Sequence, residues 1–246
     1  MFRYKMVISY EGTNYYGFQK QANKVTIEEK LLEALYQIHC KEIKIVGSGR
    51  TDKGVHAIGM VAHFDSWLDL SDYHFTKALN TYLPEDIRIK SVTKVSADFH
   101  ARYSAKSKTY KYIISKKYNV FKRNLETYVP YNLDTKSMRQ ALNKFVGKHD
   151  FLGFSSYVKG KPTVKEIYYV SLEEDHEKII ITFKGDGFLK YMVRRIVGTL
   201  IDIGRDRKDI TVIDEIFNTK NGSLSGKTID PEGLYLVEVN YWNKFE

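Results

Sequence analysis

Short segments of alternating hydrophobicity, mixed with amphipathic helical segments, constrain the fold of this 246-residue chain more than any other feature. Alternation with a period of two predicts strands that bury one face, at residues 3–10, 43–46, 59–64, 87–95, 108–114, 164–172, 178–183 and 234–241. The strands do not alternate strictly with helices, and they lack the continuous apolar runs that are typical of parallel strands. The sequence therefore predicts an α+β fold with mainly antiparallel sheets flanked by helices.

The predicted helices begin at capping residues. Thr26 and Glu29 form a capping-box pattern before an apolar face that continues to Ile38. Ser71 begins a second helix, which must end before Pro84. Asp134 caps a third helix, predicted to end at Gly147. Apolar spacing predicts further helices at residues 188–203 and 210–217, with Met192 and Ile196 in the core, where we also expect Phe151 and Phe154.

Small and basic residues at positions 104–108 mark the boundary between two halves of similar composition. Both halves contain strand–helix–strand segments, although no residue-level repeat relates them. We therefore expect two similar subdomains, an N-terminal one at 1–105 and a C-terminal one at 106–246.

Positive charge is concentrated in one segment of the chain. Lys and Arg total 39 against 30 acidic residues, which gives a net charge of +9 and a pI near 9.3. No acid occurs from residue 99 to residue 125, where eight basic residues and six aromatic residues alternate irregularly. Cations that contact phosphates and rings that stack on bases are typical of RNA binding rather than of a membrane surface. The alternative is a strand pair whose aromatic residues face the core, and for Tyr112 we prefer it.

The single cysteine, Cys40, excludes an intramolecular disulfide and favours a reducing cytoplasm. Because Cys40 ends an apolar helical stretch, we expect a buried thiol rather than a nucleophile. Charged residues interrupt every apolar run before it reaches the length of a membrane span, and the N-terminus lacks the pattern of a signal peptide.

The densest cluster of functional residue types is GSGRTDKGVHA at positions 47–57. A P-loop is excluded because Val55 and His56 occupy the positions of its Lys and Ser/Thr, and the glycine spacing does not fit a dinucleotide-binding loop. Asp52 remains, with Arg50 two residues before it, and a nearby guanidinium would keep this carboxylate ionised by lowering its pKa. An ordinary surface turn at Asp-Lys-Gly is equally compatible with these residues. His56 and His63 fit a structural role better than a metal site.

GRTDKGVHA at 49–57 resembles the GRTDAGVHA motif of the tRNA pseudouridine synthase A (TruA) family. The similarity continues in order along nearly the whole chain, in YEGTNYYGFQ at 10–19, LN at 79–80, LPEDI at 83–87, FHARYSA at 99–105, YKY at 110–112, DF at 150–151, Phe188 with MVR at 192–194, and EGLYL at 232–236. This ordered series is far more specific than any single block. Lys53, Gly153 and Lys165 depart from the usual pattern, and Phe18 stands where Trp is frequent; these departures leave the choice of RNA target open.

The resemblance implies a two-subdomain RNA isomerase whose active site lies in a basic cleft between the halves. Asp52 would be the catalytic carboxylate, Tyr110 would pack on the uracil, and Arg194 would pair with the aspartate. Such chemistry exchanges bonds within one nucleotide, so we expect no metal and no cofactor. The target uridine must leave its stack, and Arg50 would fill the vacancy or hold the extruded base. The expected RNA and substrate contacts are Arg50, Thr51, Lys53, His56, His100, Arg102 and Lys108.

The resemblance further implies a homodimer that acts on uridines 38–40 of the tRNA anticodon stem-loop. Three alternatives remain open. A paralogue of the family would modify uridine in ribosomal RNA. A non-catalytic RNA-binding protein or RNA chaperone would not need Asp52. A hydrolase with Asp52 as its base would release free uracil or cut the strand.

Overall fold

The computed structural model describes residues 1–156, 160 and 162–241. Ten strands and five helices follow one another in this part of the chain, in the order β1 (Phe2–Tyr10), α1 (Ile27–His39), β2 (Ile45–Gly47), β3 (His56–Ser66), α2 (Asp72–Tyr82), β4 (Ile87–Val95), β5 (Ser107–Ser115), β6 (Thr127–Tyr128), α3 (Thr135–Asn143), β7 (Gly147–Asp150), β8 (Val164–Glu174), β9 (Lys178–Gly185), α4 (Met192–Gly204), α5 (Val212–Thr219) and β10 (Leu234–Asn240). No helix in the described part of the chain has both the length and the apolar character needed to cross a membrane.

Internal contacts divide the chain into two compact units. The first comprises Met1–Lys108 and the segment from Tyr235 onward, and the second comprises Thr109–Leu234. The division predicted from sequence, 1–105 and 106–246, stays a prediction. The C-terminal segment is grouped with the first unit because Tyr235 and Leu236 of β10 pair with His56 and Ala57 of β3, a contact that local sequence patterns do not reveal.

In the first unit, the strand order β4–β1–β3–β10 forms a sheet, and β2 pairs with β3. β1 runs antiparallel to both β3 and β4, whereas β3 and β10 run parallel. Every second residue of β1 is buried, so Tyr4, Met6 and Ile8 form the centre of this core. Helix α2 packs on β4 and on α1. Its first turn is capped by the Ser71 side chain, as predicted.

In the second unit, β7, β8 and β9 form an antiparallel group with β9 next to β5, and the short β6 runs parallel to β5. Helix α3 packs on β8 and on α4. The core contains Phe151, Phe154, Met192 and Ile196, all with no exposed surface, which confirms the four core predictions. Both units thus combine mostly antiparallel strands with packed helices, and the predicted α+β class is confirmed.

Three local predictions were wrong. The helix predicted at 188–203 begins four residues later, at Met192, because Tyr191 before it has a left-handed backbone (φ 64°). Cys40 is exposed, because α1 ends at His39 and Cys40 adopts a left-handed backbone (φ 51°) as the C-cap. The buried position belongs instead to His39, whose ring nitrogens bond Leu35 O and Ser66 Oγ. Helix α3 ends at Asn143 rather than at Gly147, which has φ +104° and begins β7.

Candidate active site

The loop between β2 and β3 carries Arg50, Thr51, Asp52 and Lys53. Asp52, Lys53 and Gly54 form the turn that the sequence allows as an alternative reading of these residues: the Val55 N–H donates to Asp52 O at 3.2 Å, and Gly54 has φ +78°. A type II turn requires a positive φ at its third residue, which glycine adopts without steric cost. A turn of this kind would also suit an ordinary surface loop, so the contacts around it decide how firmly Asp52 is held.

The N-terminal block 10–19 fastens this loop from one side. The Phe18 N–H donates to Thr51 O at 3.2 Å, and the Gly54 N–H donates to Tyr15 O at 3.3 Å. The hydroxyls of Tyr10 and Thr51 share a buried hydrogen bond of 2.8 Å. Backbone and side-chain bonds therefore fix the positions on both sides of Asp52, whereas the Asp52 side chain itself is only half-buried.

Two glycines of the block permit the close approach. Gly17 has φ +90°, and a Cβ placed on it would collide with the carbonyl oxygen of Thr51. A Cβ on Gly12 would collide with the carbonyl of Val55. Neither position has space for a side chain, so these glycines in the YEGTNYYGFQ block bring the block's backbone against the loop.

His56 closes the C-terminal end of the loop. Its Nδ1 accepts from the Gly12 N–H at 3.0 Å, and its ring stacks on Tyr235 with centroids 4.7 Å apart. The residue is 1% exposed. It therefore couples the loop to the N-terminal block and to β10, in agreement with the structural role that the sequence favoured over metal binding.

The charged side chains of the loop have identifiable partners. The exposed Arg50 donates from Nε to Gln19 Oε1 at 3.1 Å. Lys53, the departure from the family motif, has its Nζ 4.3 Å from the ring centroid of Tyr16. Lys24 Nζ approaches the same ring at 4.3 Å, so Tyr16 holds two cations beside the loop.

Lys108, predicted from its place in the basic segment, contacts the same loop. Its Nζ donates to Ser48 O at 2.8 Å, and a Cβ on Gly49 would lie 3.0 Å from this ammonium group. The structure thus brings Lys108 together with Arg50, Thr51, Asp52, Lys53 and His56 around one loop.

His100 and Arg102 form another group, in the turn before β5. His100 Nδ1 accepts from the backbone N–H groups of Arg102 and Tyr103 at 3.2 and 3.1 Å, and its ring stacks on Tyr103 at 4.3 Å. Arg102 and Tyr103 are exposed. The turn therefore presents a cation and an aromatic ring to solvent on a fixed backbone.

His63 lies beneath this turn and is 4% exposed. Its Nδ1 accepts from the Ala101 N–H at 3.1 Å. Burial, with a smaller effect of the Arg3 charge, lowers the pKa of His63 to about 4. The ring is therefore neutral at physiological pH. No group of three His, Cys, Asp or Glu residues in the described ranges could hold a metal ion.

Tyr110 and Arg194 belong to the second unit. Tyr110 is half-buried, and its ring meets the edge of Phe188 at 5.0 Å. Arg194, in the first turn of α4, donates from Nε to Ile229 O at 2.6 Å and has its guanidinium carbon 5.3 Å from the Tyr191 ring centroid.

A buried hydrogen-bond network around the segment that holds Arg194 was missed by the sequence analysis. The Tyr112 hydroxyl bonds Thr127 Oγ1 at 2.7 Å and Asp230 O at 2.6 Å, and Thr127 Oγ1 bonds Glu232 Oε1 at 3.2 Å. Burial raises the pKa of the Glu232 carboxyl, and the charge of Asp230 adds to the effect. Only the EGLYL match pointed to this segment, because Thr127 lies in a two-residue strand without a recognisable pattern.

The chain matches the family model described as tRNA pseudouridine synthase over residues 6–104 and 141–242. It is 42% identical over 242 residues to "tRNA pseudouridine synthase A" of Exiguobacterium sibiricum, covering 98% of this chain and 97% of the relative. It is 42% identical to "tRNA pseudouridine synthase A 1" of Bacillus cereus (99% and 100% covered) and 43% identical to "tRNA pseudouridine synthase A" of a Geobacillus strain (98% and 99% covered).

Proposed function

Because the chain belongs to the tRNA pseudouridine synthase family, it is an isomerase that acts on RNA, and we propose that it converts uridines 38–40 of the tRNA anticodon stem-loop to pseudouridine. We propose Asp52 as the catalytic carboxylate. The observation that carries this assignment is the fastening of the loop on both sides of Asp52, by the Tyr10–Thr51 hydrogen bond before it and by the bond from the Gly54 N–H to Tyr15 O after it. A catalytic group must be held in place before the substrate arrives, and these contacts meet that requirement.

The proposed reaction exchanges two bonds of one nucleotide. The bond from C1′ to N1 of uracil breaks, with Asp52 attacking the nucleoside or promoting the cleavage. The base rotates and a bond forms from C1′ to C5. C5 then loses its proton and N1 gains one, so the atoms balance without an external reactant. In this scheme Tyr110 packs on the uracil and Arg194 pairs with the carboxylate; both assignments rest on the motif match.

The target uridine must leave its stack to reach Asp52. We propose that Arg50 either fills the space that the uridine leaves or holds the extruded base. Its exposed side chain donates from Nε to the amide oxygen of Gln19, and a surface hydrogen bond of this kind is readily exchanged. Lys53, His100 and Arg102 complete the proposed direct contacts with RNA. Hydrogen bonds of Thr51, His56 and Lys108 join the loop to neighbouring segments. We therefore propose that these residues position the loop and also belong to the RNA-binding region.

We also propose that the enzyme is cytoplasmic and works as a homodimer. The single cysteine supports a reducing compartment, since no disulfide can form within the chain. Sedimentation analysis of the purified protein tests the oligomeric state directly. A monomer at micromolar concentration would contradict the second assignment.

The decisive experiment measures release of tritium from C5-tritiated tRNA transcript by the purified protein without added metal. Asp52→Asn removes the charge with little change in shape, so we expect RNA affinity to remain and release to stop. Asp206→Asn is the matched control. Asp206 is exposed and has a left-handed backbone (φ 56°), a conformation that asparagine also adopts. Full turnover by Asp52→Asn would overturn the catalytic assignment. Release of tritium from ribosomal RNA but not from tRNA would overturn the assignment of tRNA as the substrate.

A further inference from the structure

Phe121 is the most exposed aromatic side chain in the described part of the chain, with 89% of its surface accessible. It lies in the loop between β5 and β6, residues 116–126, which we call the Phe121 loop. The same loop exposes Tyr118 (63%) and Val120 (49%). Large apolar side chains grouped in this way mark interaction sites.

Hydrogen bonds fix the Phe121 loop internally. The Phe121 N–H donates to Asn119 Oδ1 at 2.9 Å, and the Lys122 N–H donates to Asn119 O at 3.0 Å. Arg123 Nη1 donates to Val120 O at 2.7 Å. The two ends are joined by the parallel pairing of Ser115 with Tyr128, and the Tyr118 ring meets the edge of Tyr128 at 5.6 Å. The ring of Phe121 is thus displayed on an ordered support.

Basic residues flank Phe121 in the sequence of the loop. Lys117 and Arg123 are exposed and Lys122 is half-buried, and no acid occurs in the 27 residues from 99 to 125. Lys122 Nζ lies 3.6 Å from Glu126, the first acid of the loop. An exposed flat apolar ring in a loop rich in basic residues is complementary to a nucleobase with its flanking phosphates.

A second copy of the chain fits this surface less well. An isologous contact through the Phe121 loop would place these cations against the same cations of the partner, and like charges repel. An anionic partner with unpaired planar groups removes the conflict. Single-stranded or looped RNA has both properties.

We propose that the Phe121 loop is an RNA-contact site in which the Phe121 ring stacks on an unpaired nucleobase while Lys117 and Arg123 contact phosphates. This proposal rests on the RNA substrate of the proposed function and adds a binding site that the catalytic residues do not include. The loop thereby favours RNAs with unpaired bases near the modified segment over continuous duplexes.

Binding of two fluorescein-labelled RNAs by the full-length protein tests the proposal: a stem-loop, and the same stem continued as a duplex. Loss of one stacked base corresponds to about 5- to 150-fold weaker binding, so Phe121→Ala should weaken stem-loop binding within this range and duplex binding much less. Phe121→Trp should restore affinity, whereas Phe121→Leu, which keeps apolar bulk without a ring, should not. The matched control is Tyr73→Ala, which removes another exposed ring (68%) on α2.

Salt dependence tests the cations separately. The double variant Lys117→Ala/Arg123→Ala should reduce the slope of log affinity against log salt by about 0.7 for each lost phosphate contact. Unchanged stem-loop affinity of Phe121→Ala would overturn the proposal. Full affinity of Phe121→Leu would do the same, as would dissociation of a dimer by Phe121→Ala with RNA affinity per protomer retained.

The outcome is distinguishable from failure of the proposed function. If the wild type releases tritium and Phe121→Ala binds normally, the catalytic assignment stands and the Phe121 loop is not an RNA site. If the wild type releases no tritium but its stem-loop binding depends on the Phe121 ring, the RNA site stands and the isomerase assignment fails.

Discussion

Tyr10 and Thr51 share a buried hydrogen bond of 2.8 Å that ties the end of β1 to the residue immediately before Asp52. The two residues are 41 positions apart, and Tyr10 also pairs with Ala57 of β3 and with Ile87 of β4. The loop is thus anchored in the centre of the first unit's sheet rather than at its own ends. Any displacement of Thr51 moves the backbone of Asp52 with it.

A double-mutant cycle measures this anchor. Tyr10→Phe and Thr51→Val each remove one hydroxyl and leave the other buried, so each should cost roughly 1–3 kcal/mol of unfolding free energy. The double variant should lose less unfolding free energy than the two single variants together, because it leaves no buried hydroxyl without its partner. Urea unfolding gives the free energies, and tritium release should show a lower kcat in each single variant. Additive free energies would show that the two hydroxyls act independently.

Gly17 should be irreplaceable because two constraints coincide there. Alanine at φ +90° is strained by about 1–3 kcal/mol, and its Cβ would additionally collide with Thr51 O. Gly147→Ala is the matched control: it has φ +104°, but its Cβ would meet only an ordinary contact, His149 Nε2 at 3.5 Å. We expect Gly17→Ala to be the less stable variant by at least ~1 kcal/mol, and to lose turnover that Gly147→Ala keeps. Equal unfolding free energies would contradict the collision.

Local sequence patterns predicted the strands well where alternation reports burial directly. In β1 and β4 the predicted and observed limits agree within one residue, and Ser71 and Asp134 both cap helices as expected. The patterns failed where a backbone reversal intervened. Helical periodicity assigned Cys40 to the buried face, yet the left-handed C-cap turns it outward.

The site was predicted only in part. The residues of its motif are adjacent in sequence, whereas the contacts that hold them come from distant segments of the chain. The motif at 47–57 identified Asp52, and the position of Lys108 in the basic segment pointed to the same region. The bonds from Phe18 and Tyr10 to Thr51, and the acceptance of the Gly12 N–H by His56, join positions more than 30 residues apart. No periodicity in one sequence encodes such pairs. The roles of Tyr110 and Arg194 stay predictions.

Stability should fall in mild acid because of His63. Its pKa is about 4 in the folded protein, mainly through burial, against an unfolded value near 6.5. The unfolded state therefore binds a proton between these values that the folded state excludes, so stability is complete above pH 6.5 and declines towards pH 4. Protonation would also place a donor on Nδ1 opposite the Ala101 N–H, with Arg3 and His100 nearby.

His63→Gln tests this dependence, because its amide oxygen can accept from Ala101 without titrating. We expect its thermal midpoint to change less between pH 7 and pH 5 than that of the wild type. His176→Gln, on an exposed residue, should retain the wild-type pH dependence. Part of the acid sensitivity should persist in His63→Gln, since burial also lowers the pKa of His39. Identical pH profiles for His63→Gln and the wild type would contradict the assignment.

We expect Tyr112→Phe to lower the turnover rate by displacing Arg194, although the buried Tyr112 is not one of the proposed RNA contacts. The Tyr112 hydroxyl holds Asp230 O at 2.6 Å, next to Ile229, whose carbonyl fixes Arg194 Nε. Losing one such bond, worth roughly 0.5–1.5 kcal/mol, should lower kcat about 2- to 13-fold and change KM less. Tyr4→Phe is the matched control, because it removes a hydroxyl that bonds Leu70 O at 3.2 Å and Leu68 O at 3.3 Å in the first unit, and neither residue belongs to the proposed site. Both variants should lose similar thermal stability, and only Tyr112→Phe should lose kcat. Equal kcat in the two variants would show that the Tyr112 hydroxyl stabilises the fold without positioning Arg194.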